Sequence, residues 1–346
     1  MKIRQVVVTG MNQVELQQLE LDERLGPDEF LAETECTFIS AGTEIANYAG
    51  REKLVHVKGS WCAYPWRSGY SNVGIVRAVG SNVKRLSPGD RVMTFAAHAS
   101  FIKGNQLPSP YALAAPVPAG LEPGLAAASR MADIAVTAVL VAQICPNDWV
   151  AVYGLGMVGN LAAQAFQIMG CRVIGIEPNA VRRKLAERCG IARTVGGSVD
   201  EANEAVRTST GGAMAAISVD AVGHSSVVLQ ALKATASFGQ LILLGSPRVP
   251  VETNVTEFLS DVHLRWITVR GALEWCLPAE PVVGYPVSLA TKKQMVFDWL
   301  QRGMLQLEPQ ISHRMKPEEI KQAYDGLLAQ PEKFTGVILD WRERTE

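Results

Sequence analysis

The feature that most constrains the fold of this chain is a glycine loop near its middle. The apolar run Trp149–Tyr153 leads into Gly154-Leu155-Gly156-Met157-Val158-Gly159, and a helix-compatible stretch follows over residues 160–169. The first glycine permits a tight strand-to-helix turn, the second lets a pyrophosphate approach bare backbone, and the third lets the helix pack closely on the sheet. Amide groups at the helix start then bind the phosphates. The pattern predicts a dinucleotide-binding strand, loop and helix.

Strands and helices alternate through the second half of the chain. Further apolar runs of strand length occur at residues 172–177, 217–222, 240–244 and 267–269. Buried parallel strands read as continuous apolar runs of this kind, and the stretches between them are compatible with helices. We therefore predict an α/β fold, with a doubly wound parallel sheet over residues 123–291.

The first part of the chain has a different pattern. Short apolar runs at residues 3–8, 30–39, 73–79 and 91–95 are separated by turns rich in glycine and proline. This pattern predicts a β-rich domain, a barrel or a sandwich, over residues 1–122. Residues 292–346 contain two helix-like stretches and a short strand candidate at 336–339, and we expect them to rejoin the first domain.

Charge and hydropathy exclude several classes of protein. The formal net charge is -1 and no cluster of Lys and Arg forms a stripe, so we expect no nucleic-acid partner. No run of eighteen apolar residues occurs, and the first twenty residues carry charges in place of a signal-peptide core, so we expect no membrane partner and a cytoplasmic location. The expected partner is a small-molecule substrate.

Glu177 bears on the choice of dinucleotide. It ends the strand candidate after the loop, where a carboxylate accepts hydrogen bonds from the adenosine ribose hydroxyls, which favours NAD. Arg182 and Arg183 follow, and they would meet a 2′-phosphate if the carboxylate turned away, so NADP stays open; a solvated helix face is the simpler interpretation. The remaining cofactor candidates are Thr137, with core packing as its alternative, Val222 and Gly245.

The order of these parts resembles the medium-chain dehydrogenase/reductase family. Beside the glycine loop, Ala41-Gly42-Thr43-Glu44 is similar to the family's Cys-Gly-Thr-Asp segment, Gly69-Tyr70-Ser71-Asn72-Val73-Gly74 is similar to its Gly-His-Glu segment, and Pro88-Gly89-Asp90-Arg91-Val92 also matches. The resemblance implies a GroES-like barrel followed by a Rossmann domain, hydride transfer as the activity, and a homodimer or homotetramer.

The departures from the family concern zinc. Zinc-dependent members hold the metal through the Cys and the His of those segments, which are replaced here by Ala41 and Tyr70. The third ligand position falls near Ser129, and the four-cysteine lobe expected after Val92 has no cysteine. Zinc needs three or four thiolate, imidazole or carboxylate donors. We therefore predict no metal, and the chain resembles the zinc-independent branch and, more loosely, the bacteriochlorophyllide-dehydrogenase-like members.

Without zinc, a hydrogen-bond donor must stabilise the charge that develops on the substrate oxygen. Tyr70 takes the place of the lost histidine and is the first catalytic candidate, although an aromatic ring that fills the vacated space is an equal interpretation. Thr43 matches a hydroxyl that relays protons in metal-dependent relatives. Glu44 either orients its neighbours or caps a helix. His98 is interpreted as a structural histidine.

Substrate candidates lie in three segments. Arg130 and Asp133 precede the stretch expected to pass the nicotinamide, and an arginine there can hold a carboxylate or phosphate; a salt bridge is the alternative. Trp61 and Trp66 belong to a segment both aromatic and basic, and Trp275 follows the last strand candidate. Ordinary packing, a lid or a subunit contact are the alternatives for all three tryptophans.

Three functions remain open. The leading hypothesis is a zinc-independent NAD(P)(H)-dependent oxidoreductase that acts on a secondary alcohol or ketone. The second is an enone reductase of the same family, which reduces a carbon-carbon double bond. The third, from another class, is a non-catalytic nucleotide-binding protein with a regulatory or structural role, since fold does not fix function.

Overall fold

The computed structural model describes residues 1–107, 109, 111–285 and 287–342, and the chain divides into two compact units. The first comprises Met1–Arg130, Leu277–Gln301 and Gln310–Glu346, and the second comprises Met131–Cys276 and Arg302–Pro309. The last four residues of the expected C-terminal segment lie outside the described residues.

The unit boundaries differ from residues 122 and 291, the boundaries expected from the sequence. Residues 123–130 and 277–291 pack with the first unit through polar contacts. The Ser71 hydroxyl donates a hydrogen bond to the Ala127 carbonyl at 2.6 Å, and Arg85 lies 2.7 Å from the Glu280 carboxylate. These pairings are not encoded in the helix-like and strand-like patterns from which residues 122 and 291 were chosen.

The described residues form sixteen strands and nine α-helices. The strands are β1 (Lys2–Gly10), β2 (Gln13–Glu20), β3 (Glu29–Ile39), β4 (Trp66–Arg67), β5 (Asn72–Val79), β6 (Arg91–Thr94), β7 (Phe101–Asn105), β8 (Ala114–Pro116), β9 (Trp149–Tyr153), β10 (Arg172–Ile176), β11 (Thr194–Val195), β12 (Ala215–Asp220), β13 (Thr235–Leu243), β14 (Thr268–Gly271), β15 (His313–Met315) and β16 (Val337–Asp340). The helices are α1 (Thr43–Tyr48), α2 (Pro123–Val141), α3 (Met157–Ile168), α4 (Ala180–Arg188), α5 (Val199–Ser209), α6 (Ser225–Ala234), α7 (Val255–Leu264), α8 (Leu289–Gln301) and α9 (Ile320–Ala329).

The second unit contains a six-stranded parallel sheet in the order β11-β10-β9-β12-β13-β14. Counted along this unit, the order is 3-2-1-4-5-6, which is that of a doubly wound nucleotide-binding fold, so the predicted fold class is confirmed. Ala151, Ile174 and Leu241 are fully buried in its core. The chain reverses direction across the sheet between β9 and β12, and ligands of such sheets bind beyond the carboxyl ends of the strands there.

The first unit is built around a seven-stranded sheet. Its strands run in the order β15-β16-β3-β5-β6-β8, β7 also pairs with β3, and β2, β1 and β4 form a separate three-stranded sheet. Strand β16, near the end of the chain, pairs antiparallel with β3 through partners such as Val337 and Ile39. The tail of the chain is therefore an interior strand of this sheet.

Helix α2 is unusually apolar. Among the described residues it alone is long and apolar enough to cross a membrane by length and composition, and 78% of its most apolar window is buried inside the protein. Core helices pass the same test, and the alanines of this helix fit that role, since Ala126, Ala132 and Ala135 are fully buried.

Candidate functional site

The glycine loop has the geometry that phosphate binding requires. Gly154 has a φ of +86°, and a Cβ on Gly159 would lie 1.9 Å from the Gly154 carbonyl oxygen, so both positions need glycine. A Cβ on Gly156 would meet nothing within 4 Å, so its backbone faces open space. Gly156 also precedes α3 without supplying a side-chain cap, which leaves the first amides of the helix available to an anion. The loop therefore fits a dinucleotide pyrophosphate.

The loops after β12 and β13 meet the glycine loop at the same edge of the sheet. A Cβ on Gly154 would lie 2.5 Å from Val222 Cγ2, and a Cβ on Gly245 would lie 2.3 Å from the backbone nitrogen of Gly223. Val222 thus lies beside the loop, and Gly245 packs against the backbone of Val222 and Gly223. Val222 was expected inside a strand, but β12 ends at Asp220, because the Asp220 carboxylate accepts hydrogen bonds from the Val222 and Gly223 amides and closes a turn.

Glu177 faces the glycine loop. Its Oε2 accepts a hydrogen bond from the Leu155 amide at 2.9 Å, and its Oε1 accepts one from the Asn179 amide at 3.0 Å. The carboxylate is buried, and Arg182 lies 3.8 Å from Oε2. Arg183 donates instead to the Glu177 and Pro178 carbonyls. The carboxylate is therefore turned toward the loop, which is the orientation that the NAD interpretation requires.

Thr137 is fully buried in α2. Its hydroxyl donates a hydrogen bond to the Asp133 carbonyl at 3.1 Å, one turn earlier in the same helix. This contact agrees with the core-packing alternative for Thr137, and its role toward a cofactor stays a prediction. Asp133 is also buried, with 1% of its surface exposed, so it lies within the helix packing and has little surface to offer a substrate.

A buried carboxylate lies at the centre of the site in the first unit. Glu44, on the short helix α1, is 0% exposed. Its Oε2 accepts hydrogen bonds from Ser68 Oγ at 2.8 Å, His98 Nε2 at 2.9 Å and Tyr324 Oη at 2.7 Å. Its Oε1 accepts one from the Ser40 amide at 2.8 Å. Glu44 therefore ties its own segment to three others that are far apart in the chain.

These partners decide the charge of the carboxylate. Burial alone raises the pKa of Glu44, because a charge in the interior loses its hydration. The neighbouring His98 and the hydrogen bonds from His98, Ser40 and Tyr324 outweigh burial and lower the pKa below its usual value. Glu44 is thus ionised at neutral pH. Burial and the charge of Glu44 together raise the pKa of the Tyr324 phenol well above its usual value.

Tyr70 lies beside this cluster and is partly buried. Burial and the charge of Glu44 raise the pKa of its phenol to about 12, against opposing effects of the Ser40 and Thr43 hydroxyls and of Arg130. The structure thereby brings the three catalytic candidates Tyr70, Thr43 and Glu44 together. At neutral pH the phenol keeps its proton and can donate a hydrogen bond.

Arg130 lies close to Tyr70, and a second buried cation, Lys293, contacts the residue before Arg130. Arg130 is 2% exposed, and its guanidinium lies 5.4 Å from the centre of the Tyr70 ring and 3.9 Å from that of Phe95. Lys293, on α8, is 0% exposed and donates a hydrogen bond to the adjacent Ser129 at 2.9 Å. The region that the family resemblance assigns to a metal therefore carries positive side chains.

Zinc does not fit these residues. Of the three positions that correspond to zinc ligands, Ala41 and Ser129 carry no donor that zinc prefers, and Tyr70 carries a protonated phenol. Across the described part of the chain, no group of three His, Cys, Asp or Glu side chains converges. The Glu44 and His98 side chains do meet, but they supply only two donors and are bonded to each other.

The three tryptophans lie in different surroundings. Trp66 is 8% exposed and belongs to a core cluster of the first unit, so little of its ring is open to a substrate. Trp61 is 57% exposed and touches the edge of Trp66, with ring centres 6.0 Å apart. Trp275 is partly buried in a short 3-10 helix, Glu274–Cys276, of the second unit. Packing therefore accounts for Trp66, and substrate roles for the other two stay predictions.

Sequence reasoning missed four contributors to the site: Ser68, His98, Tyr324 and Lys293. His98 was interpreted as a structural histidine, yet it bonds the catalytic candidate Glu44, and its Nδ1 has no hydrogen-bond partner among the residues that the structure describes. The signal for Ser68 was its place beside Tyr70. Tyr324 and Lys293 lie more than 150 residues from their partners, Glu44 and Ser129. No pattern of residue spacing predicts contacts at such a separation.

The known proteins that are similar to this chain are dehydrogenases. A family model described as "Zinc-binding dehydrogenase" matches residues 157–276. An alcohol dehydrogenase from Rhizobium meliloti (strain 1021) is 31% identical over 246 residues, which cover 62% of this chain and 71% of that protein. An L-threonine 3-dehydrogenase from Bacillus velezensis is 26% identical over 215 residues, or 60% of this chain, and the match spans only 56% of that relative's length.

Solved structures show the same architecture. The crystal structure of 2R,3R-butanediol dehydrogenase from Bacillus subtilis superposes with a TM-score of 0.81 at 16% identity and covers 98% of this chain and 100% of that one. At this identity the likeness concerns the fold alone, a GroES-like domain together with a Rossmann domain.

Proposed function

The chain belongs to the medium-chain dehydrogenase/reductase family of zinc-binding dehydrogenases, and from that premise we propose that it is an NAD(P)(H)-dependent oxidoreductase of secondary alcohols and ketones that works without zinc. The observation that carries the proposal is the placement of Tyr70. A protonated phenol with a pKa of about 12 lies at a position where the family resemblance expects a zinc ligand. The phenol would donate a hydrogen bond to the substrate oxygen and so take the place of the metal.

The loop residues support the cofactor half of the proposal. Gly156 and the first amides of α3 would hold the pyrophosphate, and Glu177 would accept hydrogen bonds from the adenosine ribose, which favours NAD over NADP. When bound, the nicotinamide supplies or accepts the hydride. The cradle at Gly156, where a Cβ would meet nothing within 4 Å, is the observation that fits the dinucleotide.

The residues of the first unit would act on the substrate oxygen. As a hydride reaches the carbonyl carbon, negative charge develops on the oxygen, and the Tyr70 phenol donates its hydrogen bond there. Thr43 and Ser40, whose hydroxyls neighbour the phenol, orient it. Buried Arg130 adds positive charge over the face of the Tyr70 ring. The neutral form of the phenol suits carbonyl reduction near neutral pH.

Substitution of Tyr70 tests this assignment. We expect Tyr70→Phe to lower kcat for NADH-dependent ketone reduction by about 100-fold, the usual contribution of a positioned acid, with the Kd of NADH unchanged. Tyr111→Phe removes an exposed phenol of the same unit and serves as the control. Unchanged kcat in Tyr70→Phe would contradict the role of Tyr70.

A substrate panel and metal analysis test the remaining parts of the proposal. Ketones and enones are offered with NADH, and we expect reduction of ketones; reduction of enones alone would favour the carbon-carbon reductase, and no turnover despite tight NADH binding would favour a non-catalytic nucleotide-binding protein. Elemental analysis of the purified protein is expected to find no zinc. One zinc per chain would overturn the metal-free mechanism.

A further inference from the structure

The buried pair of Glu44 and His98 is more than a packing contact. Both side chains are 0% exposed, and a charge buried this completely is costly unless it is paired and hydrogen-bonded. The Glu44 carboxylate meets this condition with three donors on Oε2 and one on Oε1. A satisfied buried charge of this kind exerts a fixed field on nearby groups.

His98 supports the segment that carries Tyr70. Its backbone nitrogen donates a hydrogen bond to the Ser68 carbonyl at 2.9 Å. A Cβ on Gly69 would lie 2.7 Å from His98 Cγ, so the imidazole ring lies directly against the Gly69 backbone. Since Gly69 precedes Tyr70, this ring packs against the backbone that carries the tyrosine.

Glu44 reaches the same segment from the other side. Its Oε2 accepts the hydrogen bond of Ser68 Oγ, two residues before Tyr70. Its own helix, α1, begins with Thr43, whose hydroxyl neighbours the Tyr70 phenol. The backbone of residues 68–70 and the phenol at its end are therefore both tied to the Glu44 and His98 pair.

We propose that Glu44 and His98 form a buried positioning pair, which fixes the segment 68–70 and sets the negative charge of Glu44 beside the phenol of Tyr70. The proposal rests on the function proposed above, because it assigns a purpose to a protonated Tyr70. It makes Glu44 and His98 positioning residues, which act through Tyr70 and do not touch the substrate.

Charged and polar groups face Tyr70 from several segments. Glu44 disfavours the phenolate by charge repulsion, whereas Arg130 favours it; Tyr324 is neutral, since its own pKa is raised. The Ser40 and Thr43 hydroxyls favour the phenolate by hydrogen bonding. Glu44 is thus the negative charge that balances Arg130. Without it, the phenol would ionise at a lower pH.

The first experiment measures the ionisation of Tyr70 directly. The full chain is labelled with [13Cζ]tyrosine, the Tyr70 resonance is assigned by its loss in Tyr70→Phe, and the resonance is followed up to about pH 10.5, near the ordinary pKa of tyrosine. We expect it to stay at its neutral position in the wild type. In Glu44→Gln we expect the pKa to fall by about 1 unit or more, so that roughly a quarter of the phenol or more is ionised at pH 10.5 and the resonance moves toward its phenolate position.

A matched control removes a carboxylate elsewhere in the first unit. Glu35 pairs with Arg91 and is not among the groups that shift the pKa of Tyr70, so in Glu35→Gln the Tyr70 resonance is expected to stay at its neutral position up to pH 10.5. A Tyr70 resonance that also stays there in Glu44→Gln would overturn the proposal, because a packing role alone moves no ionisation.

A second variant keeps the proposal testable if Glu44→Gln does not fold. In His98→Gln the amide can still donate to Glu44, but the interaction with the imidazole that lowers the pKa of the Glu44 carboxyl is gone, so this pKa is expected to rise above the wild-type value, as read from [13Cδ]glutamate. No rise would overturn the pairing of Glu44 with His98. Since both titrations are made without substrate, they stand apart from the ketone assay of Tyr70→Phe, and the two proposals can fail separately.

Discussion

At the scale of single residues, the orientation of one carboxylate decides how the chain would choose between two dinucleotides. Glu177 accepts amide hydrogen bonds from Leu155 in the glycine loop and from Asn179 at the start of α4. Each carboxylate oxygen retains a second lone pair, which a ribose hydroxyl can use. A 2′-phosphate at the same place would meet a negative charge, and Arg182 is already engaged at 3.8 Å.

The cofactor preference is therefore expected to respond to Glu177. Glu177→Gln keeps a hydrogen-bond acceptor for Leu155 but removes the charge, so we expect the ratio of the Kd for NADPH to the Kd for NADH to fall by about tenfold or more, a gain of about 1.4 kcal/mol. Fluorescence titration with the two reduced cofactors measures it.

Arg182 provides the control for this prediction. In the Glu177→Gln background, Arg182→Ala is expected to remove most of the gain in NADPH binding, because Arg182 would then be the partner of the phosphate. Arg183→Ala should have less effect, since Arg183 is bound to backbone carbonyls. An unchanged preference in Glu177→Gln would show that Glu177 does not face the ribose.

Some residues of the candidate site can be recognised from the sequence, and others cannot. Tyr70 and Glu44 were found from the sequence because they stand in short segments of known pattern. Tyr324 and Lys293 could not be found, because their contacts with Glu44 and Ser129 are made by folding segments 280 and 164 residues apart. His98 was noticed but interpreted as structural, since a sequence does not show which carboxylate a buried imidazole meets.

At the scale of elements, the strands and helices of the nucleotide-binding sheet followed their apolar runs closely. Predicted strand 172–177 is β10, Arg172–Ile176, and the helix expected at 160–169 is α3, Met157–Ile168. The helix begins earlier than expected because Met157 and Val158, inside the glycine loop, already have helical backbone. Strand β2 was missed because its alternating Gln and Glu residues dilute the apolar signal.

Two glycines of the loop at the start of α3 are needed for different reasons: Gly159 for folding and Gly156 for binding of the cofactor. Alanine is normally better than glycine in a helix by about 1 kcal/mol, yet Gly159→Ala would place its Cβ 1.9 Å from the Gly154 oxygen. We expect the clash to prevail and to destabilise the protein by about 1–3 kcal/mol. Chemical denaturation measures the change.

Gly156→Ala is the matched variant. Its backbone φ of -60° suits any residue, and the added Cβ meets no protein atom within 4 Å. We expect its free energy of unfolding to match that of the wild type, while NADH binding weakens by about tenfold or more, because the methyl group occupies the approach of the pyrophosphate. Equal NADH affinity would place the phosphates elsewhere.

At the scale of the whole molecule, the second unit exposes an edge strand with an aromatic patch beside it. Strand β14 ends the six-stranded sheet, all four of its residues are exposed, and it pairs only with β13 among the described strands. Near its start, Phe238 and Trp266 stack with ring centres 4.8 Å apart while 74% and 64% exposed. Exposed edges and aromatic patches are typical of association sites.

The expected homodimer or homotetramer is therefore assigned to this edge as a prediction. Light scattering coupled to size exclusion should show an oligomer at micromolar concentration. Trp266→Glu is expected to shift the population toward monomers by placing a charge in the patch, whereas Met11→Glu, at an exposed apolar residue of the first unit, should not. A monomeric wild type would contradict the assignment.

The interior position of β16 has a consequence for biosynthesis. Residues 131–276 form nearly all of the second unit and leave the ribosome as one stretch, whereas the sheet of the first unit cannot close until Val337–Asp340 emerges to pair with β3. Domains of a nascent chain usually mature in order from the amino terminus. Here the order is inverted: the first unit waits, with Cys36–Ile39 of β3 lacking their partners, until Val337–Asp340 has been synthesised.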